Sequence, residues 1–488
     1  MWHPPFSTER RGVRHFRATP QQPVWLLAAG AASAALFLGS RYVLRAQERM
    51  RRKREGLPLD DDNDDDFSRQ SPAMRATQIL GVDFGSANLR LAVAPLVRTA
   101  GSNVRVIESA DGLRAIPAAV AVDNGSVSVG VLAKALLGRK PGYTGLATRL
   151  LLERDAATNA KEWERFVAAL PYKTSVQGED VMLELDGKTY SAEWAGEVLL
   201  DHMHAMAARS LGDADAGAGA DGFPAVLSVP AGLSDARRRV FQRVAESAGF
   251  QIVAALDEPV AALHAAELSA LEDEDEAALR ALSSTSASSS GSTTIAVFDM
   301  GGYESSVALL QRRRSGFEVV GSLSTPSVSG RAVDDALFRH VVGKFEQETG
   351  IDLSADHMAS FRVLEAVETA KTELSSRRST DLNLPFITAD RTGAKHLVQK
   401  LSAYDLARAC ESQVAQATAL CDRALAAAGL TTADVGLLLL VGGGVRSKPV
   451  QERLESHFGR AAFSGRSFRP EEAVVVGAAE FGRRLASE

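Results

Sequence analysis

Short apolar runs that end in an aspartate and a glycine recur along this chain and predict much of its sheet structure. Ile79–Val82 and Thr294–Val297 are continuous, largely apolar runs, and alternating positions follow at Leu89–Ala94 and Val307–Leu310. A continuous apolar run bounded by turn residues is typical of a buried strand, and alternation is typical of a strand with one solvated face. The pattern therefore predicts two widely separated copies of a strand–turn–strand unit.

A third apolar run lies near the C-terminal end. Leu437–Val441 leads into Gly442–Gly444 and predicts a fully buried strand. The preceding segment, about Ala403–Ala428, has helical periodicity and ends at Gly429, a residue type that favours the left-handed C-cap conformation. Another helix is predicted over Pro449–Phe458. A strand, glycines and a helix in this order let a ligand approach the backbone closely.

The two strand–turn–strand units carry the same candidate chemistry. Asp83 is followed by Gly85, and Asp299 is followed by Gly301. A strand that ends in a carboxylate and a tight glycine turn presents backbone N–H groups and an acidic side chain to a phosphate–metal unit. One such turn is commonplace. Two of them, with a third glycine loop at domain-scale spacing, predict a duplicated phosphate-binding fold that closes on one nucleotide.

At these loops the chain resembles the nucleotide-binding domain of the heat-shock protein 70 chaperones, within the actin-like, hexokinase-like superfamily. Gly81–Gly85 resembles the first phosphate loop, Phe298–Ser306 the second, and Val441–Arg446 the adenosine loop. Asp257–Ala262 resembles the segment that connects the lobes, and Glu373–Asp390 is similar to bacterial and mitochondrial members. The resemblance runs from about residue 78 to the end of the chain.

The resemblance implies a particular architecture. We expect an α/β, two-lobed actin-like ATPase fold of duplicated RNase-H-like domains, over residues 77–488. Lobe I is expected at about 77–265 together with a C-terminal helix at 470–488, and lobe II at about 293–469. Because the sequence stops shortly after Ala479, we expect no peptide-binding domain of the family's kind.

The resemblance also implies roles for individual residues. Asp83, Glu258 and Asp299 match the family's catalytic carboxylates, and Asp83 and Asp299 would position Mg²⁺ through water. Glu368, Lys371 and Ser375 share one helix face at i, i+3 and i+7, and the Arg446 guanidinium would stack on the base. The residues expected to contact ATP or ADP are Gly85, Ser86, Ala87, Gly301, Gly302, Glu368, Lys371, Ser375, Gly442, Gly443 and Arg446.

Three positions depart from the family pattern and predict impaired hydrolysis. Thr148 falls where the family has a catalytic lysine, although a slip of one residue would offer Arg149 instead. Losing such a cation costs about 10²–10³ in rate, by analogy with other electrostatic catalytic groups. Tyr303 and Glu304 replace a glycine and a threonine of the second phosphate loop. A glutamate about 4 Å from a phosphate oxygen would be repelled by roughly 4 kcal/mol at an effective dielectric constant near 20.

Composition and charge are compatible with this interpretation. The chain has 488 residues, of which 45% are hydrophobic, and can bury a large core. The net charge is −6, yet residues 1–55 are strongly basic, so the remainder is acidic and nucleic acid is not an expected partner. Cys410 and Cys421 lie on one predicted helix, about 16 Å apart at 1.5 Å per residue, too far for a disulfide. We expect two buried, reduced cysteines.

The first 76 residues have a different character. Residues 1–23 contain four arginines and one glutamate, as in a basic targeting segment. Val24–Leu44 carries a single charge, Arg41, and matches the roughly 20 residues needed to cross a bilayer. Residues 45–76 contain dense basic and acidic blocks and predict a disordered linker. A retained transmembrane helix is therefore predicted, with a signal anchor or a cleaved signal as alternatives.

Several functions remain open at this point. The first is a membrane-anchored protein of the chaperone family that binds ATP or ADP, hydrolyses ATP poorly and acts as an adaptor or cochaperone in folding or import. The alternatives are a slow but active ATPase and a scaffold subunit that binds no nucleotide. Expected partners are a membrane lipid and a cochaperone, exchange factor or membrane complex. The arginine-rich start and the resemblance to bacterial and mitochondrial members favour the mitochondrial inner membrane, and the flanking charges favour a domain in the matrix. The endoplasmic reticulum membrane is the alternative.

Overall fold

The structure of the protein is a computed structural model that describes residues 77–97, 103–155, 158–215, 222–283, 294–313 and 316–487. The predicted transmembrane segment Val24–Leu44 and the predicted linker lie outside these residues. Within the described ranges, none of the helices combines the length and the apolar character needed to span a bilayer.

The described residues form a mixed α/β fold. Its strands are β1 (Gln78–Phe84), β2 (Asn88–Pro95), β3 (Arg105–Val106), β4 (Ile116–Pro117), β5 (Val120–Asp123), β6 (Ser126–Val129), β7 (Thr144–Gly145), β8 (Lys173–Gln177), β9 (Asp180–Leu185), β10 (Lys188–Ser191), β11 (Phe223–Val229), β12 (Phe250–Asp257), β13 (Thr294–Met300), β14 (Ser305–Arg313), β15 (Gly316–Thr325), β16 (Ser379–Asp390), β17 (Gly393–Ser402) and β18 (Val435–Val441). Its α-helices are α1 (Val131–Leu136), α2 (Thr148–Glu153), α3 (Ala160–Ala168), α4 (Ala192–Asp215), α5 (Asp235–Ser247), α6 (Glu258–Glu272), α7 (Glu276–Ser283), α8 (Gly330–Thr349), α9 (His357–Leu374), α10 (Ala403–Ala409), α11 (Glu411–Ala427), α12 (Lys448–Phe458) and α13 (Ala473–Ser487).

Two sheets repeat one arrangement. One has the order β12-β11-β1-β2-β3, and we call the part of the fold around it lobe I; the other has the order β15-β14-β13-β18, and we call the part around it lobe II. β1 runs antiparallel to β2 and parallel to β11, while β13 runs antiparallel to β14 and parallel to β18. The two predicted strand–turn–strand units are therefore confirmed as β1–β2 and β13–β14, and the third apolar run is confirmed as the strand beside β13. This duplication is consistent with an actin-like ATPase fold.

Two helices hold the lobes together. α6 packs on the lobe II sheet through residues such as Leu263 and on α13 through Ala261. α13 crosses β1 so closely that a Cβ at Gly81 would lie 2.4 Å from the carbonyl oxygen of Val475. A Cβ at Gly477 would lie 1.7 Å from the carbonyl oxygen of Ala261. Glycine is therefore needed at both crossings, because no side-chain rotation relieves a backbone clash.

A buried ionic network joins α6 to both lobes. Glu267 Oε1 accepts a hydrogen bond from Arg312 Nη1 of β14 at 2.6 Å, and Oε2 accepts one from Arg484 Nη1 of α13 at 2.6 Å. Burial alone would raise the pKa of Glu267, but hydrogen bonds from His264 and Arg484 lower it to about 2. The carboxylate thus ties a lobe II strand to the C-terminal helix.

The long helix predicted over Ala403–Ala428 is wrong in one respect, because the structure has two helices, α10 and α11. They are separated at Cys410, whose backbone has φ −98 and ψ 11. The turn there directs the following helix across the sheet and leaves the side chain of Cys410 fully buried. Both cysteines are buried and free, as expected, and Gly429 has the predicted positive φ, +67.

Candidate functional site

The two aspartate–glycine turns lie face to face at the ends of β1 and β13. A Cβ on Gly85 would lie 2.4 Å from the carbonyl oxygen of Asn88, and a Cβ on Gly301 would lie 2.9 Å from that of Glu304. In each turn the glycine thus packs against the carbonyl three residues later. The repeated requirement for glycine explains why the same local sequence occurs twice.

The third glycine loop packs directly on the second turn. Gly442 has φ +83, and a Cβ there would lie 2.4 Å from Asp299 Oδ1. A Cβ on Gly444 would lie 2.4 Å from the side chain of Met300. Gly443 has no atom within 4 Å of its Cβ position and faces the open cleft. The predicted adenosine loop therefore combines two packing glycines with one that leaves room for a ligand.

The two predicted phosphate loops touch each other across the lobes. A Cβ on Gly302 would lie 2.1 Å from the Cβ of Ala87. The backbone N–H of Tyr303 donates a hydrogen bond to the hydroxyl of Ser86 at 3.4 Å. Ser86, the residue expected to supply a phosphate-binding hydroxyl, is thus already bonded to the opposite loop.

Arg149 is the central cation of the cleft floor. Its Nε donates to Glu153 at 2.6 Å, its Nη1 to Glu258 at 2.8 Å and its Nη2 to Glu304 at 3.4 Å. The side chain of Arg149 is 10% exposed and that of Glu258 is 8% exposed. Each nitrogen of the guanidinium is therefore bound to a different carboxyl, and two of these belong to segments far away in the chain.

The carboxyls outnumber the cations in this buried region. Desolvation raises the pKa of Asp83, against the opposing effects of Arg90 and Arg149. Desolvation likewise raises the pKa of Asp299 to about 6 and that of Glu258 well above its usual value. Arg90 Nη1 is 3.8 Å from Asp83 Oδ2. A site with this excess of buried acid gains from a cation brought in by a ligand.

Thr148 and Arg149 are the two candidates for the position of the family's catalytic lysine, and the structure places them differently. Thr148, the position assigned to it, is only 1% exposed and does not line the cleft, and its Oγ1 has no hydrogen-bond partner. Arg149 lines the cleft instead. α2 begins after Ala147, which has a left-handed φ of +54, and this turn rotates the start of the helix so that Arg149 faces inward. A cation is therefore present on the cleft floor.

The side chain of Tyr303 lines the cleft, whereas that of Glu304 does not. Tyr303 lines the cleft, and burial raises the pKa of its hydroxyl to about 12. Glu304 does not line the cleft, because its carboxyl turns inward to Arg149. Burial raises the pKa of Glu304 to about 8. The direct repulsion between Glu304 and a phosphate that we expected from the sequence therefore lacks its geometric basis, whereas the added bulk of Tyr303 remains.

The predicted adenosine face lies along α9. Glu368, Lys371 and Ser375 all line the cleft, together with Gly442, Gly443 and Arg446. Lys371 Nζ is 2.7 Å from Asp334 Oδ1 and also donates to the carbonyl of Gly330 at 3.1 Å. Arg446 Nη1 pairs with Glu471 at 2.6 Å, and its side chain is 57% exposed. The residues predicted for this face are thus brought together at one side of the cleft.

The upper rim of the cleft is bridged by two contacts that sequence reasoning missed. Lys134 Nζ of α1 is 2.7 Å from Glu368 Oε2 of α9. A Cβ on Gly138 would lie 2.4 Å from the ring of Phe361, also on α9. Both contacts join segments more than 200 residues apart in sequence, so no local pattern could have signalled them. Below them the cleft has a volume of about 1280 Å³, which is large enough for a nucleotide.

Asp83 and Asp299 are the carboxylates that would lie near a cation brought in with a ligand. Among the described ranges, no group of three or more His, Cys, Asp or Glu is placed to bind a metal ion. Asp83 and Asp299 nevertheless both line the cleft beside the glycine turns. Their buried oxygens suit a Mg²⁺ ion that is held through water and a ligand's phosphates, which is how Mg²⁺ commonly binds.

A comparison with known protein families agrees with the fold and with the position of the loops. A family model described as Hsp70 protein matches residues 79–487. The match begins within β1 and ends at the last residue of α13, so it includes all three glycine loops, Arg149 and the adenosine face.

Proposed function

This chain belongs to the Hsp70 family, whose domains generally bind ATP or ADP with Mg²⁺, and from that premise we propose that it binds nucleotide but hydrolyses ATP poorly. The observation that carries the proposal is the state of Arg149. Its three guanidinium nitrogens are all bound to carboxyls. A cation engaged in this way stabilises developing charge on a terminal phosphate less than a free one does.

Different residues of the cleft would contact the base, the phosphates and Mg²⁺. Gly443 leaves room for the base beside Arg446, and the turns at Gly85 and Gly301 line the part of the cleft where the phosphates would lie. Mg²⁺, when bound, would neutralise phosphate charge next to Asp83 and Asp299. Tyr303 lines the cleft next to the phosphate loops, and its bulk reduces the space there compared with a glycine.

Nucleotide binding is tested by calorimetry with Mg-ADP and Mg-ATP on the full-length chain in mild detergent. We expect saturable binding that weakens when Arg446→Ala removes the guanidinium. Glu318→Thr is the matched control, because it changes an exposed residue of lobe II and leaves the cleft intact. Absence of heat with both nucleotides at millimolar concentration would exclude the proposal and favour a scaffold without nucleotide.

Impaired turnover is tested by single-turnover hydrolysis. Tyr303→Gly together with Glu304→Thr should raise the rate, because the cleft widens and one nitrogen of Arg149 is released. If the unaltered chain already hydrolyses ATP as fast as this double variant, the second candidate, a slow but active chaperone ATPase, becomes the better description. That candidate is favoured by the presence of a cation, Arg149, on the cleft floor.

The setting we propose for this activity is a membrane. Val24–Leu44 has the length and apolar character of a single transmembrane helix. The arginine-rich residues 1–23 favour the mitochondrial inner membrane, and the charges that flank the helix favour a domain in the matrix. Alkaline carbonate extraction of mitochondria should leave the protein in the pellet. Digestion of the domain in mitoplasts with an intact inner membrane would contradict the orientation, and recovery with endoplasmic reticulum would contradict the compartment.

We propose that the anchored domain acts as an adaptor or cochaperone in protein folding or import. The proposal is supported by the protein partners that are usual in the family and by the proposed nucleotide binding without rapid turnover. Purification from detergent-solubilised membranes should recover chaperone or import components in nucleotide-dependent amounts. Recovery that is unaffected by added nucleotide would argue for a fixed scaffold subunit.

A further inference from the structure

The cleft has an open end and a closed end. At the open end the side chain of Arg446 is 57% exposed and Gly443 faces free space. At the closed end the side chains of Arg149 and Glu258 are 10% and 8% exposed. The glycine turns at Gly85 and Gly301 lie between these ends. A nucleotide with its base near Arg446 would therefore extend its phosphates toward Arg149.

At the closed end, the groups that could bind a terminal phosphate are bound to one another. The Ser86 hydroxyl accepts the N–H of Tyr303. Arg149 donates to three carboxyls, one of which belongs to Glu304, the next residue along the loop. Lobe II thus supplies, through two consecutive residues, partners for the hydroxyl and the cation that lobe I presents.

The contacts between the two phosphate loops also leave little space between them. The Cβ of Ala87 would be 2.1 Å from a Cβ on Gly302, so the Ala87 side chain already packs against Gly302 where the loops meet. The Tyr303 side chain lines the cleft beside this contact. An additional phosphate there would have to separate the loops, break the Ser86 bond and compete with carboxyls for Arg149.

We propose that this cleft selects nucleotides that end at the β-phosphate, so that it binds ADP in preference to ATP, with Tyr303 and Glu304 as the residues that determine the selectivity. A buried donor or acceptor that is already satisfied gains little from a new partner, and losing its present partner has a cost. The base, ribose and first two phosphates meet the wider part of the cleft and leave the contacts of Ser86 and Arg149 intact. This inference rests on the proposed nucleotide binding and deepens it.

The test is the ratio of two affinities, measured by calorimetry on the full-length chain in mild detergent. The probes are Mg-ADP and the Mg complex of a non-hydrolysable ATP analogue. We expect ADP to bind at least tenfold more tightly. If neither probe binds, the proposed function itself fails. If both bind and the ATP analogue binds as tightly as ADP or more tightly, nucleotide binding stands and the selectivity is wrong.

Substitutions test whether Tyr303 and Glu304 determine the preference for ADP over ATP. Tyr303→Gly with Glu304→Thr should bring the two affinities to within about threefold, mainly by strengthening the binding of the ATP analogue. Glu304→Gln, which keeps the size and can still accept from Arg149, should retain most of the preference. Glu318→Thr, the exposed control, should leave the ratio as it is. An unchanged ratio in the double variant, with ADP still bound, would overturn the role of Tyr303 and Glu304.

Discussion

Replacement of Arg149 by leucine tests the buried cluster on which both proposals depend. The change keeps an apolar side chain in the space but leaves Glu258, Glu153 and Glu304 without their shared cation. Because the side chains of this cluster are only 8–14% exposed, solvent cannot replace the lost partner. Removing one member of a buried ion pair costs about 3–5 kcal/mol. We expect the free energy of unfolding of lobe I to fall by that amount at pH 8.5.

The pH dependence of this effect has a definite sign. Burial raises the pKa of Glu258 and Glu304 above their unfolded values, and loss of the guanidinium raises both further. The folded state then binds more protons than the unfolded chain, so stability decreases as the pH rises. For Glu304 the affected range runs from the ordinary value of 4.5 to about 8 in the wild type. The deficit of Arg149→Leu should therefore be smaller at pH 5.5 than at pH 8.5.

Urea denaturation followed by tryptophan fluorescence is a suitable assay, since Trp163 and Trp194 belong to lobe I. The matched control is Arg313→Leu, which removes an exposed arginine from its pair with Glu318 and should cost about 1 kcal/mol or less. Arg149→Leu combined with Glu258→Leu should recover part of the loss. The reasoning is refuted if Arg149→Leu costs no more than Arg313→Leu at either pH.

Three further predictions concern packing, acid stability and ligand release. Gly477→Ala should destabilise the fold by about 3 kcal/mol, because the new Cβ would clash with a backbone carbonyl. Gly343→Ala, which has open space around it in α8, should stabilise the fold by up to about 1 kcal/mol in the same urea denaturation assay. Glu267→Gln should reduce the free energy of unfolding at pH 6 but little at pH 2. The lowered pKa of Glu267 stabilises the folded state fully above the ordinary value of 4.5, and this contribution is lost as the pH falls through about 2. An acid titration in which the stability curves of the variant and the wild type run parallel would contradict this. Phe361→Ala should speed release of a fluorescent nucleotide several-fold by removing the contact with Gly138, and an unchanged rate in stopped-flow measurements would show that the contact does not limit release.

Local features of the site could be predicted from the sequence, and tertiary ones could not. The aspartate–glycine turns and the Glu368 face were predictable, because their requirements are set within a few residues: a close backbone approach or an i+3 spacing. The orientation of Arg149 was not, since it depends on a left-handed φ at Ala147, a residue type that gives no warning of that conformation. Likewise, the partner of Glu304 lies 155 residues away. The burial of Arg149 and Glu304 therefore depends on how segments distant in sequence pack together.

One helix connects the chemistry of the cleft with the joint between the lobes. Glu258 begins α6 on the cleft floor, and Glu267 lies nine residues later, about 14 Å away at 1.5 Å per residue. At its first end α6 is bound to Arg149, which also binds Glu304 of lobe II. At its second end it is bound to Arg312 of lobe II and Arg484 of α13. A rotation of the lobes must therefore lengthen bonds at one of these ends. Under the proposed selectivity, a ligand that separates the phosphate loops would lengthen the bonds of Arg149. We therefore expect a third phosphate to weaken the contacts between the lobes as well as those within the cleft.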